Sequence, residues 1–585
     1  MSSSQTRISQ ASARSKDLLV GTFLSLATGA FVLWQNLHLT VLWDLSYILE
    51  NATRISHGQF PYRDFPFPYA PLTFVVQAAI IKLFGPVVFH HYVYAALTAA
   101  LASLLTWRIL LRLLSASVLP TRRIAFLLAV PLIFVGTSSI FPHPFYDSDC
   151  TLFILFCSWL LLRLESSSFP PFSTFICGML LAVPLFIKQN TGLTFLISVA
   201  VCIAWMGIRN HRHAAALLLV GAGTGFSMAV LLIHCTVGLH NYIHWTIQFA
   251  ASRRLPGIAT MLGVYEDPAL IWSFVVFAIG LALFLLPSTA FKFKQRQFRW
   301  LGSLLLALPF LWALASLFID EDASDRVEAL LHLWPVLLIA SLGFALWQLP
   351  RAKTFAQLLP LVLLGAIHGA FLSQQLWGST YALWPLLMIL IATILIALAP
   401  RKPEMDTEPT SDLQSKTLPL AAFAAVASVV LLITGAYYAL SHERLDYVDL
   451  SGDTLAHSNI PALRGLAMRG DWIPDFEELV DYSKREIPRN DALLMIPGED
   501  LFYYSTGRTP MFPVLMMDNT VNPYSAEQIT ELSRQHNVQW LVVKRRLQLQ
   551  EEPLAFRPRL LELLSQDFSL IESLNNYDIY RRKQE

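Results

Sequence analysis

The chain has 585 residues, of which 55% are hydrophobic and only 14% charged, with a mean hydropathy of +0.51. A soluble globular protein has no need of so much apolar surface, so the composition points to a polytopic α-helical membrane protein. The net charge of +1 offers no basic or acidic excess for nucleic acid or another polyanion.

Residues 1–17 form a short polar tail with Arg7, Arg14 and Lys16, read as cytoplasmic. The apolar run Leu18–Leu37 ends without a small-residue cleavage site, at Trp34-Gln35-Asn36, and reads as a retained first span rather than a signal peptide. Residues 38–86 form the first outer loop. They carry Trp43-Asp44, then Tyr62-Arg63-Asp64, then Tyr69-Ala70-Pro71-Leu72. The apolar stretch Pro71–Phe84 within it is too brief to cross a bilayer and fits a re-entrant or interfacial helix.

Further runs follow at Val87–Leu113, Ile124–Phe141, Thr151–Leu164, Phe172–Ile187, Gly192–Ile208 and Ala214–His234. Six more lie at Ala269–Leu286, Leu301–Ile319, Ala329–Trp347, Phe355–Leu372, Tyr381–Ala399 and Leu418–Leu440. At ~20 residues per crossing, these and the first run predict about thirteen spans in a transmembrane domain over 18–440. Basic residues mark alternate loops, at Arg122-Arg123, Arg209 and Arg212, Lys292–Arg299, Arg351 and Lys353, and Arg401-Lys402. The positive-inside rule makes these loops cytoplasmic and turns the others outward. The five cysteines all fall in the apolar part, so no disulfide framework is indicated.

From 441 to 585 the composition becomes that of a soluble domain. Ala492–Ile496 and Trp540–Val543 read as strands, Ala526–His536 as a helix starting after Ser525, and Arg559–Ser565 as a second helix. Ser569–Leu574 and Tyr577–Tyr580 pair across Asn575-Asn576. The alternation predicts a small extracytoplasmic α/β domain.

Ionisable groups at a membrane surface are the places to look for chemistry. Asp44 stands just past the first span beside Trp43, where a half-sheltered carboxylate can serve as a general base. The plainer alternative is a solvated interfacial aspartate or a helix cap. Lys188, next to Gln189 in the turn Phe186–Gly192, is suited to an anionic group, or else snorkels to the surface. Arg253 and Arg254 form an outward basic pair, a phosphate clamp or a solvated doublet. Asp147 and Asp149 place two acids in the second outer loop, where they can hold a sugar's hydroxyls or a divalent cation, or simply be solvated. No His/Cys spacing, Gly-rich phosphate loop or nucleophile elbow occurs, so no metal ligand or cofactor is assigned.

Taken together, Asp44-x-x-Tyr47, Gly58-x-x-Pro61-Tyr62-Arg63-Asp64-Phe65, Tyr69-x-Pro71-Leu72 and Phe84-Gly85 resemble the first outer loop of the GT-C integral-membrane glycosyltransferases. The resemblance is to bacterial relatives of protein O-mannosyltransferases and of the lipid A aminoarabinose transferase. Ile187-Lys188-Gln189-Asn190-x-Gly192 and Phe502–Arg508 are similar as well. Where the family often pairs Asp with Glu, this chain has Asp44-Leu45. The resemblance implies a polyprenyl-phosphate sugar donor, Asp44 as base, and a multi-pass enzyme of a bacterial inner membrane, its acceptor open. Lys188, Gln189, Arg253 and Arg254 would then steady the donor phosphate, while Tyr62, Arg63, Asp64, Asp147 and Asp149 would meet substrate. A transporter or flippase, or a non-catalytic assembly subunit, is the competing reading. A transporter predicts midplane charges and duplicated halves, whereas these groups lie at span ends.

Overall fold

The computed structural model describes residues 2–139, 141–209, 211–254, 258–286, 295–320, 329–372, 382–399, 411–440, 454–547 and 557–584. Within these, seven helices are long and apolar enough to cross a membrane: Ser15–Asn36, Val88–Leu114, Gln189–Arg209, Arg212–Thr236, Gln295–Ile319, Leu331–Arg351 and Thr417–Leu440. Five shorter apolar helices accompany them, Leu72–Phe84, Pro171–Phe186, Ala269–Leu285, Phe355–Ala370 and Trp384–Leu398. The protein is a polytopic helical membrane protein.

In chain order the first elements are α1 (Ser2–Asn36), α2 (Leu42–Ser56), α3 (Leu72–Phe84), α4 (Val88–Leu114) and α5 (Thr121–Ala129). Next come α6 (Tyr146–Ser166), α7 (Pro171–Leu180), α8 (Gln189–Arg209) and α9 (Arg212–Thr236). The second half of the bundle has α10 (Ala269–Leu285), α11 (Gln295–Ile319), α12 (Trp334–Gln348), α13 (Phe355–Ala370), α14 (Trp384–Leu398) and α15 (Ser411–Leu440). Lipid supplies no hydrophobic drive between helices, so close packing by small residues matters. Gly178 of α7 faces Gly221 of α9, and Gly280 of α10 faces Gly302 of α11, each with backbone where a side chain would stand. Between α1 and α4, Thr28 Oγ1 and Ser103 Oγ are 2.9 Å apart.

Three sequence expectations change. The run Ile124–Phe141 is not one span, because α5 gives way to a tight turn at Val130–Ile133 containing Pro131. A proline there has no N–H to give and crowds the preceding turn. Pro184 does the same to Phe172–Ile187, whose α-helical part stops at Leu180. Third, Asp44 does not stand in a loop: residues 42–56 form the helix α2.

The C-terminal region adds an antiparallel pair, β1 (Leu455–His457) with β2 (Ala467–Arg469), and a four-stranded mixed sheet. The sheet contains β3 (Ala492–Ile496), β4 (Val538–Lys544), β5 (Phe568–Ser573) and β6 (Tyr577–Arg582) in the order β3-β4-β6-β5, and only β3 and β4 run parallel. Around it lie α16 (Trp472–Glu486), α17 (Phe502–Thr506), α18 (Ala526–Gln535) and α19 (Arg557–Asp567). The run Ala492–Ile496 is buried at every position although β3 is an edge strand, so both of its faces are covered. Ser525 starts α18 in a reciprocal cap, its Oγ accepting from Gln528 N while its own N–H donates to Gln528 Oε1 at 2.9 Å.

This region rests on residues 38–86. Leu42, Leu45 and Leu49 of α2 share one apolar cluster with Leu466, Phe476 and Phe502, and Thr40 Oγ1 donates to Ala467 O at 3.0 Å.

Candidate functional site

Four helix ends converge where α1 finishes. Asn36 Nδ2 donates to Pro142 O at 2.7 Å, which fixes the start of α6 beside the end of α1. The turn ahead of α8 enters the same place: Gln189 Nε2 donates to Pro68 O of the first loop at 2.9 Å.

Lys188 Nζ forms an ion pair with Asp147 Oδ1, and the two side chains are only 9% and 10% exposed. Asp147 lies in the first turn of α6 rather than in a loop, a position where the helix dipole favours negative charge. A buried pair repays its desolvation only with good geometry. An anion arriving at this ammonium therefore competes with Asp147 for it. Asp149, also in the first turn of α6, turns elsewhere and accepts from Thr73 Oγ1 at 2.7 Å and Tyr94 OH at 2.9 Å. The two acids thus have different partners. Among the described residues no three His, Cys, Asp or Glu side chains converge on a metal position.

A run of tyrosines joins this pair to α2. Lys188 Nζ sits 5.8 Å from the Tyr146 ring centroid, Tyr146 packs on Tyr69 at 5.1 Å, and Tyr69 meets Tyr47 edge-on at 5.2 Å. Asp44 is half-buried, one turn before Tyr47 on the same face of α2. The start of α2, which carries Asp44, and the Lys188 turn are therefore linked by one chain of tyrosine rings.

Other candidates fall elsewhere. Tyr62 shapes the loop: it holds φ at 69°, and its hydroxyl donates to Tyr69 O at 2.6 Å, fixing the backbone of the central tyrosine. Arg63 and Asp64 are spent on each other at 2.9 Å, and Asp64 Oδ2 also accepts the Phe60 N–H at 2.7 Å. The Arg63 guanidinium holds the Asp64 carboxyl below the usual carboxylate range. This pair closes a turn and does not join Lys188. Arg253 is exposed and donates to Pro523 O of the C-terminal region at 3.3 Å, a neutral acceptor, instead of meeting Lys188. The side chain of Arg254 lies outside the described residues.

The sequence did not single out Tyr94, Thr73 or Tyr146 as site residues; their partners are tens of residues away, and local spacing carries no signal of them. A second polar group also borders the site. Asp267 Oδ2 and His332 Nδ1 are 2.6 Å apart, and Tyr265 OH and His368 Nε2 are 2.7 Å apart. Burial pushes the Asp267 carboxyl up, but the bonds from His332 and the Ala269 N–H outweigh it and hold it low. Gly369, the residue after His368, presses so closely on Asn190 and Thr194 that no side chain fits. This group thereby abuts the Lys188 turn.

Along 96% of its length the structure aligns with ArnT from Cupriavidus metallidurans bound to undecaprenyl phosphate, covering 97% of that chain at 11% identity and a TM-score of 0.41. It aligns over the same share with the Archaeoglobus fulgidus oligosaccharyltransferase, covering 73% of it at 11% identity and a TM-score of 0.47. With the mycobacterial arabinofuranosyltransferase AftD, a longer protein, 96% of this chain covers 40% of that one at 13% identity and a TM-score of 0.45. No family model matches the chain, and no curated protein matches it.

Proposed function

We propose that the chain is a membrane glycosyltransferase that moves a sugar from a polyprenyl phosphate to an acceptor hydroxyl on the non-cytoplasmic face. The supporting observation is the placement of Asp44 and the Asp147–Lys188 pair at one end of the bundle, joined through Tyr47, Tyr69 and Tyr146. Basic loops such as Arg122-Arg123 belong to the opposite end, where Arg122 meets Asp17 of α1. The charge rule then turns the site outward. Nucleotide sugars are cytoplasmic, so a donor carried across on a lipid suits an outward site.

In this reading the bond from the sugar's anomeric carbon to the donor phosphate oxygen breaks as the acceptor oxygen attacks that carbon. Asp44 takes the acceptor proton. Charge builds on the leaving phosphate, and Lys188 turns from Asp147 to meet it, with Gln189 alongside. A phosphate leaves without being protonated, so one base and one cationic anchor suffice. Tyr47, Tyr69 and Tyr146 offer ring faces to the sugar, and Tyr62 holds Tyr69 in place.

Purified full-length protein incubated with radiolabelled polyprenyl-phosphate sugars tests the reading. Transfer is expected with release of free polyprenyl phosphate, and Asp44→Asn is expected to slow it by ~10²–10⁴. An Asp44→Asn protein that folds and transfers at the parent rate removes the base assignment. Movement of intact donor without release of polyprenyl phosphate would instead make the chain a transporter.

A further inference from the structure

The helix that carries Asp44 at its start is gripped by the C-terminal region farther along. Glu50, buried on α2, accepts the backbone N–H of Tyr503 at 2.9 Å and of Tyr504 at 3.3 Å. One turn later on the same face, Arg54 Nη1 donates to Pro513 O at 2.7 Å, while its Nε donates to Gln59 Oε1 at 2.6 Å. Gln59 Nε2 in turn donates to Pro510 O at 2.8 Å. The Arg54 guanidinium also covers the Phe65 ring at 4.1 Å. Two buried ionisable side chains on one face of a short helix are thus directed at main-chain atoms of residues 503–513.

We propose that Glu50 is the positioning residue through which the C-terminal region sets where α2 presents Asp44 and Tyr47. The inference rests on the reading of Asp44 as the base. The two acids stand six positions apart, about 9 Å of helix axis at ~1.5 Å per residue. A single stiff helix links them, so a tilt at Glu50 moves Asp44 by a comparable amount. Mispositioning on that scale costs turnover while leaving the Lys188 phosphate contact intact. Glutamine keeps the acceptor oxygen that Tyr503 and Tyr504 use, whereas alanine removes it and strands both N–H groups in a buried place.

The test compares Glu50→Ala and Glu50→Gln in the full-length protein, reading kcat, donor KM, and hydrogen exchange at residues 42–48 and in β3 and β4. Glu50→Ala is expected to lower kcat about 10²-fold with donor KM within about threefold of the parent, and Glu50→Gln to restore most of it. Exchange should rise at 42–48 and stay protected in β3 and β4. Parental kcat in Glu50→Ala, beside an inactive Asp44→Asn, overturns the proposal. So does loss of protection in β3 and β4, which would mark Glu50 as a folding residue. If Asp44→Asn proves active, the base assignment fails on its own. Exchange at 42–48 then still decides whether Glu50 holds α2: a rise supports the coupling, and no rise overturns it.

Discussion

Lys188 has two claims on its charge, Asp147 in the resting protein and the donor phosphate in the proposed reaction. Removing one member of a buried pair leaves the other uncompensated, typically at about 3–5 kcal/mol, whereas replacing both with apolar residues is often neutral. Lys188→Met is therefore expected to unfold at a clearly lower temperature than the parent, and Lys188→Met combined with Asp147→Leu to recover much of the loss while remaining inactive. Thermal unfolding in detergent, set beside the transfer assay, separates the two effects. Glu50 supplies a pH prediction. Burial raises its carboxyl well above the usual range, against lowering by the Tyr504 and Tyr503 N–H groups. Facing it are Arg54 on its own helix, Asp500, Tyr503 and Tyr504 from the C-terminal region, and beyond them His91 of α4, packed on Tyr504 at 5.7 Å. The folded value is raised, so the contribution of the neutral carboxyl is complete below its unfolded value of about 4.3 and is lost as pH rises through the folded one. Hydrogen exchange at 42–48 should therefore speed up in the parent by more than the intrinsic rate as pH rises through that raised value. Glu50→Gln should abolish that excess.

At the scale of elements, the sequence made some parts of the molecule readable and hid others for physical reasons. The apolar spans, the Ser525 cap and the Asn575-Asn576 turn are local signals, and α18 and the β5–β6 hairpin stand where they point. Asp44 and Lys188 stood out because charge beside lipid is costly. The helix α2 was hidden, since its polar residues Glu50, Asn51 and Arg54 look like a loop until the C-terminal region covers them. The amphipathic α16 was missed for a similar reason: its apolar face, with Phe476 and Leu479, is spaced among many charges. That Arg253 reaches Pro523 O of the C-terminal region carries no signal in the local sequence, since 270 residues separate the two. Helix packing yields its own prediction. Gly369 leaves no room for a side chain against α8, so Gly369→Val must push α13 away from the Lys188 turn. Overpacking of this kind costs about 1–3 kcal/mol. A lower unfolding temperature is expected together with weaker donor binding, read as a raised KM.

At the scale of the whole molecule, the bundle end and the C-terminal region form one structure. Inside that region Lys544 pairs with Glu499 and, at 2.8 Å, with Asp500, and all three side chains are essentially fully buried. Burial works against the Lys544 charge, but the two carboxylates outweigh it and hold the ammonium above the usual lysine range. Lys544→Met would leave two acids buried without their cation, at a cost of about 3–5 kcal/mol or more. Because Tyr503 and Tyr504 stand just beyond Asp500, the damage should reach α2. Lys544→Met is expected to lose exchange protection in β3 and β4 and at 42–48 together, and to lose transfer with it.

The sharing of one apolar cluster by Leu42–Leu49 and by residues beyond 460 also bears on how the protein is made. The segment after the first span leaves the ribosome well before the surface that completes it, about 400 residues later in the chain. Until then the face of α2 that carries Glu50 lacks the neighbours that residues beyond 460 supply, although its leucines already meet Phe67 and Phe74. Protection of residues 42–48 against hydrogen exchange is thus expected to appear only once the C-terminal sheet has been made.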